Sequence, residues 1–452
     1  MASEKALTRA RLAAYGAPAF ALAMPTIPAF VYLPALYAEG LGLAAAGLVL
    51  LSARVTDVIS DPLIGVVSDR YQTRWGRRKP WILVGAILAG FALIRLFQPP
   101  SDVTATYLLA WAIVLYLGWT LVAVPYTAWG AELSGDYHQR SRITGVREGL
   151  TLIGILAAGA VPAITTSMGW TEAEGLAAVS WMAIALGAPA IALLLIKVPE
   201  THLQRSSIGP PRLVITVTNI KRAASILAGN KPFVRLLSAW FINGMANGIP
   251  AALFLLYLEF GLQADQSQRS LLILAYFLSG VLSIPLWLTL SNRFGKHRAW
   301  CWAMLVTCAA FIWVPFLSPG DIAAFSLVCV FTGMGLGADL VLPPALQADV
   351  VDFDRLRNGQ ARAGLFFALW SMSTKMALAL AVGVAFPALQ ALGFSPDGDN
   401  SASALRSLAV IYGGVPVVLK IIAVAVIWTF PITRARQELI RRRLERRQSQ
   451  TA

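Results

Sequence analysis

Residues 54–81 read RVTDVISDPLIGVVSDRYQTRWGRRKPW, an apolar run that ends in a dense basic loop. Asp57 and Asp61 stand four residues apart, so a helix places them on one face. Arg54, three residues before Asp57, joins that face. If the helix meets water near Asp69, a rise of ~1.5 Å per residue buries Asp61 roughly 12 Å deep and Asp57 roughly 18 Å deep. Both depths fall near the middle of a hydrocarbon core ~30 Å thick. A carboxylate facing lipid there costs at least ~2.5–3.5 kcal/mol, so each needs a cation, a proton or Arg54. Two readings follow, a coupling-ion site or a structural ion pair with Arg54. One arginine cannot balance two carboxylates, and Pro62 frees a backbone carbonyl beside them, which favours the ion site.

The rest of the chain supplies the membrane. Of 452 residues, 57% are hydrophobic and 13% charged, with a mean hydropathy of +0.66. A soluble chain would carry about 25% charged residues. Apolar runs alternate with breaks to give about twelve helical spans, near 13–38, 41–68, 80–98, 104–132, 142–168, 174–197, 233–260, 268–290, 298–318, 321–347, 360–393 and 403–430. The chain thus reads as an all-α polytopic membrane protein. The net charge of +14 is not a nucleic-acid signal, because the basic residues fall in alternate loops. Arg74, Arg77, Arg78 and Lys79 follow the second span, and Arg140 and Arg142 the fourth. The other loops carry Glu39, Asp102, Glu172, Asp265 and Asp397. This positive-inside pattern puts both termini in the cytoplasm. Cys301, Cys308 and Cys329 lie inside apolar runs without metal spacing and read as packing residues. The polar start MASEKALTRAR leads into a full span and shows no cleavable signal.

The polar stretch 198–232 reads as a linker between two six-span halves, 1–197 and 233–431. A basic tail, 432–452, is expected against anionic headgroups. The halves show a weak repeat: Ser68-Asp69-Arg70 has a counterpart in Ser291-Asn292-Arg293, and Pro125, Glu132 and Arg147 in Pro343, Asp349 and Arg362. At the cytoplasmic face Asp69 is expected to pair with an arginine of a neighbouring helix. Arg54, Arg70, Glu132, Arg142, Asp349 and Arg362 complete the expected gating charges. Arg147 lies about a turn and a half beyond Arg142, so it reaches either the cavity, the favoured reading, or merely the headgroups. Glu148 points about 100° away and is read as pairing with a neighbouring loop. Asn243 and Asn247, one turn apart, can line a cavity or bind neighbouring helices. Asp339 is an isolated acid in an apolar run, with Lys375 or Arg147 as its expected partner. Lys375, thirteen residues past Arg362, is also near mid-membrane and is expected to pair with Asp57 and Asp61.

The run ARVTDVISDPLIG, the loop RWGRRKPW, the segments VPYTAW and ADVVDF, the Arg147 region and Lys375 together resemble the glycoside–pentoside–hexuronide:cation symporters of the major facilitator superfamily. The resemblance covers essentially the whole chain. It implies the major facilitator fold, with twelve helices in two pseudo-symmetric six-helix bundles. It implies that Asp57 and Asp61 bind Na⁺, Li⁺ or H⁺, with Ser60 and Thr120 beside them. Carboxylate and hydroxyl oxygens are hard ligands, suited to such ions rather than to a transition metal. The family's mid-membrane lysine falls on Lys375 and its fifth-helix arginine on Arg147. Its two sugar-gripping acids fall on Ala23 and Ala123, and its ring-stacking tryptophan on Thr127. The ion half of the site is therefore kept and the galactoside half is not. With Tyr126, Trp370, Asn243 and Asn247 near the implied cavity, a sugar, glycoside or related solute is the expected substrate, and with both acids gone and Arg147 and Lys375 present an anionic substrate is equally attractive. Alternatives are an anionic or amphipathic solute such as a lysophospholipid, and an uncoupled facilitator. The chain reads as a monomeric carrier in a plasma membrane, that of a bacterial inner membrane, with a small-molecule substrate, a coupling cation and no cofactor. An enzyme is disfavoured: the three histidines, His138, His202 and His297, fall in loops, and there is no metal cluster or nucleophile elbow.

Overall fold

The computed structural model describes residues 8–26, 33, 37, 43–71, 73–100, 103–134, 136–200, 229–359, 362–395 and 400–451. Most of the expected 198–232 linker lies outside these residues. The described chain is helical throughout: α1 Arg9–Ala23, α2 Leu43–Arg70, α3 Lys79–Phe97, α4 Ala105–Glu132, α5 Tyr137–Ser167 and α6 Glu172–Lys197 come first. Then follow α7 Lys231–Leu256, α8 Gln266–Phe294, α9 Lys296–Phe311, α10 Ile322–Asn358, α11 Ala363–Ala391, α12 Ala402–Ala409, α13 Val415–Ile427 and α14 Arg434–Thr451. A wide turn, Val410–Gly414, joins α12 to α13 into one continuous span. Among the described residues, nine helices are long and apolar enough to cross a membrane.

Local sequence sets where these helices begin. Thr104 caps α4 by accepting from Tyr107 N, and Asn230 caps α7 by accepting from Phe233 N. Thr171 with Glu174, and Asp265 with Gln268, form reciprocal capping boxes at α6 and α8. Each box satisfies backbone donors that a helix start leaves free. Prolines sit inside α1, α2, α4, α6, α7, α8, α10 and α11. In a bilayer the carbonyls they free must be met by neighbouring helices. Large apolar side chains such as Ile87, Ile196, Leu282 and Val418 point outward, where lipid rather than water is the solvent.

The chain forms two compact units. One contains Met1–Leu213 together with Asn358–Ser371; the other contains Val214–Arg357 and Met372–Ala452. The division thus differs from a cut at a central linker, because the first turns of α11 pack with the first unit. The cause is a close approach of α2 to that segment. A side chain on Gly65 would meet the Gly364 carbonyl oxygen and the Ala368 methyl, each at 2.7 Å. In the first unit the rings of Tyr15 of α1 and Tyr126 of α4 pack 4.8 Å apart, tilted by 33°, and the two residues hydrogen-bond reciprocally to each other's backbone carbonyls. In the second, Tyr257 and Tyr412 stack at 4.6 Å and Phe325 packs against both. The basic tail helix α14 docks one face: Gln437 and Ile440 are buried, and Arg447 Nη1 donates to the Leu356 carbonyl at the end of α10.

The glycine contact predicts contrasting outcomes along the same pair of helices. Gly65→Ala forces a methyl against a backbone oxygen and should cost about 1–3 kcal/mol. Gly383→Ala meets open space, and removing a mid-helix glycine there should add about 0.5–1 kcal/mol. Melting temperatures of the purified variants in one detergent should move in opposite directions.

Candidate functional site

In the first unit Asp61 of α2 is 0% exposed. Thr120 of α4, equally buried, donates its hydroxyl to Asp61 Oδ1 at 2.8 Å. The two residues stand fifty-nine positions apart, and only the packing of α2 on α4 brings them together. Ser60 is half-buried on the same turn of α2. The side chains of Arg54, Asp57 and Arg70 lie outside the described residues, so the second carboxylate of the expected pair is not placed. Asp61 and Thr120 offer hard oxygens in a buried setting, which suits a small cation or a proton.

A second group of charges lies where α2, α3 and α4 meet the basic loop. Arg78 is 0% exposed. Its Nη2 reaches Asp69 Oδ1 at 2.6 Å and Glu132 Oε1 at 2.9 Å, and its Nη1 donates to Ser68 Oγ at 3.0 Å. Arg77 Nη2 also reaches Glu132 Oε1, at 2.5 Å. Burial opposes the charge of Arg78. The Glu132 and Asp69 carboxylates more than offset it, and the guanidinium holds its proton more tightly than a free arginine. Asp69 additionally accepts from the backbone N–H groups of Gly364 and Leu365, both at 2.9 Å, and so caps the start of α11. A carboxylate at a helix N-terminus is favoured by the helix dipole. The expected partner of Asp69, an arginine on a neighbouring helix, is thus corrected to Arg78 of its own following loop. Glu200, which the sequence reading passed over, accepts from Arg77 N and Arg78 N at 2.6 Å each and ties the loop to the end of α6. Of the other expected gating residues, Arg142 is exposed and Arg362 half-buried.

Several expected substrate contacts are already engaged. Arg147 is 7% exposed, and both its Nε and Nη2 reach Glu148 Oε1, at 2.9 and 2.5 Å. Glu148 therefore pairs with its neighbour rather than with a loop, the arginine stem being long enough to reach back across the helix. The hydroxyl of Tyr126 is committed to the Tyr15 carbonyl inside a packed core, so it does not face a cavity. Thr127 turns its hydroxyl onto the Ala123 and Val124 carbonyls of its own helix. Ala23 is buried, with its methyl against Gly154. Trp370 is 7% exposed, and Lys375 is half-buried on α11.

The second unit corrects the partner of Asp339. There Lys420 of α13 lies 3.8 Å from Asp339 Oδ2. Trp300 Nε1 donates to Asp339 Oδ1 at 2.6 Å and Asn247 Nδ2 to Oδ2 at 2.8 Å. Asn243 and Asn247 both present their oxygens to the Lys420 ammonium. These amides are thus helix-to-helix bonds and not open cavity donors. Lys420 was legible in principle: it is the lone charge in the apolar run GGVPVVLKIIAVAVIW. Asp349 pairs with Lys296 at 2.7 Å, and both side chains are 0% exposed.

Long apolar helices arranged around a buried acid and its cross-helix partners define a polytopic membrane carrier of the major facilitator type, and not an enzyme. The chain belongs to the family described as MFS/sugar transport protein, whose model matches residues 14–434. A glucuronide carrier protein homolog of Escherichia coli (strain K12) is 26% identical over 87% of this chain and 86% of its own length. A sodium-dependent lysophosphatidylcholine symporter of Danio rerio is 23% identical over 88% of this chain and 81% of its own. Among solved structures, a proton:xylose symporter superposes with a TM-score of 0.65, at 15% identity over 95% of this chain and 98% of the other, which shows the shared fold.

Arg78 is the testable centre of the loop network. Arg78→Gln leaves Asp69 without its buried counter-charge and Glu132 with Arg77 as its remaining arginine, a loss worth about 3–5 kcal/mol. The variant should melt well below the wild type, whereas Arg142→Gln, at an exposed position, should melt with it.

Proposed function

We propose that this chain is a secondary active symporter that couples the downhill entry of a small cation, Na⁺ or H⁺, to uptake of a sugar, glycoside or related organic solute. The observation that carries the coupling is the Thr120 hydroxyl bonded to the Asp61 carboxylate at 2.8 Å, with Asp61 fully buried in a membrane helix. A fully buried carboxylate is stable only when neutralised or paired. Cation binding at Asp61 therefore shifts the population toward the conformers that accept substrate. The linkage is reciprocal: substrate tightens the cation by the factor by which the cation tightens substrate. Transport proceeds by alternating access, and the Asp69–Arg78–Glu132 network at the cytoplasmic end breaks and reforms in each cycle. The carrier sits in the plasma membrane, a bacterial inner membrane, with both termini in the cytoplasm, and works as a monomer.

The substrate half is less defined by charge than the cation half. Ala23 is packed against Gly154 and Ala123 carries no acid, so no carboxylate from either position grips sugar hydroxyls. Hexuronides, uncharged glycosides and lysophospholipids form the panel to screen. The first two head it, since the family match and the glucuronide carrier homologue support a sugar-like solute.

The test is uptake into proteoliposomes with an imposed Na⁺ or pH gradient. Wild type should accumulate one member of the panel above its external concentration. Asp61→Asn should abolish accumulation and leave at most downhill equilibration. Gradient-driven accumulation by Asp61→Asn at the wild-type level would overturn the coupling role.

A further inference from the structure

The second unit holds a group of buried polar side chains that coupling through Asp61 does not use. Lys420 is 1% exposed. Its ammonium donates to Asn243 Oδ1 at 2.8 Å and to Asn247 Oδ1 at 2.7 Å, with Asp339 Oδ2 at 3.8 Å. Three oxygens from α7 and α10 therefore converge on one positive point supplied by α13. An ammonium has donors and no acceptor, so the amide atoms facing it are oxygens by chemistry. That orientation leaves Asn243 Nδ2 buried without a partner, although Asn243 is 0% exposed. The amide is turned for the cation at the expense of its own donor.

The remaining contacts hold the oxygens in place. Asn247 gives its Nδ2 to Asp339 Oδ2, so one amide bridges the ammonium and the carboxylate. Trp300 fixes the other carboxylate oxygen, and Trp240 packs 6.4 Å from Trp300 while its own Nε1 is held by Thr374. Two neutral amide oxygens and one carboxylate form a hard, singly charged donor set, the kind that takes an alkali cation rather than a transition metal. An ammonium ion is close in size to potassium.

We propose that Asn243, Asn247 and Asp339 form a second alkali-cation site, filled in this chain by the tethered ammonium of Lys420, which thereby limits the exchangeable cations to those bound in the first unit. The functional meaning rests on cation coupling through Asp61, but the site itself does not. Removing the ammonium leaves one buried negative charge among oxygens already aimed at a cation, and a free ion of potassium's size takes its place.

The experiment uses the full-length chain purified in detergent. The first unit's site is silenced by Asp61→Asn, and that variant is compared with Asp61→Asn/Lys420→Met. Equilibrium binding of radioactive rubidium and sodium gives the stoichiometry, and melting curves in KCl, NaCl or choline chloride give the stabilisation. The double variant should bind one more alkali cation per chain than Asp61→Asn, with rubidium preferred to sodium. Its melting temperature should rise saturably with KCl and not with choline chloride. Adding Asp339→Asn should remove both effects. A double variant that is monodisperse yet binds no additional ion, or is stabilised only by acid, overturns the proposal, because Asp339 then takes a proton instead. If the double variant folds only in KCl and collapses on exchange into choline chloride, that also supports the site. Failure in both salts, with the Asp339→Asn triple variant folding normally, overturns it. Wild type that binds no more sodium than Asp61→Asn and shows no acid stabilisation beyond that of Asp61→Asn would instead unseat the Asp61 reading and leave this site standing.

Discussion

A charged side chain in hydrocarbon must be met by another side chain, and that requirement organises this molecule more than any apolar contact does. Apolar helices have little reason to prefer one another over lipid tails. Buried charges do, because an unmet one is expensive. Most of the buried charges described here are answered across helices or from a folded-back loop. Asp61 is met by Thr120, Asp69 and Glu132 by Arg78, Asp349 by Lys296, and Asp339 by Trp300, Asn247 and Lys420. These contacts select which helices lie side by side, and the small residues then set how closely, as Gly65 does against Gly364.

The two units solve the same problem differently. The first keeps a fully buried carboxylate that accepts a hydroxyl hydrogen bond from Thr120, and under the proposed coupling its charge is balanced by an ion that comes and goes. The second keeps a carboxylate with its own lysine and two amides already in place. A coupled carrier needs a site of the first kind, since an ion that never leaves carries no gradient energy. A site of the second kind serves architecture, fastening α7, α10 and α13 to one another.

Much of this was legible in the residues. Spacing and depth single out Asp61, and the family resemblance supplies Thr120, which lies fifty-nine residues away and which no local pattern could pair with it. Other parts were not legible for physical reasons. Pairing Asp69 with Arg78 requires knowing that the loop folds back on itself, which the charge pattern does not encode. Asn243 and Asn247 share a helix face whether they line a cavity or bind a lysine, so their periodicity could not decide. Lys420 stands alone in a strongly apolar run, and an intramembrane lysine is as informative as the Asp339 that the reading did weigh. The contact of Arg147 with Glu148 was hidden too, because helical spacing points adjacent residues apart, whereas the long arginine stem reaches back to its neighbour. The close packing of the start of α11 with the first unit rests on paired glycines that composition does not reveal.

The central claim is that Asp61 binds the driving cation. It is tested most directly by following the thermal stability of the purified chain while Na⁺ is titrated at fixed pH and pH is lowered at fixed salt, in the wild type and in Asp61→Asn. The account predicts a saturable rise in melting temperature with one of the two cations, absent from the variant. A variant that keeps the wild-type response, or a wild type indifferent to both cations, would contradict it.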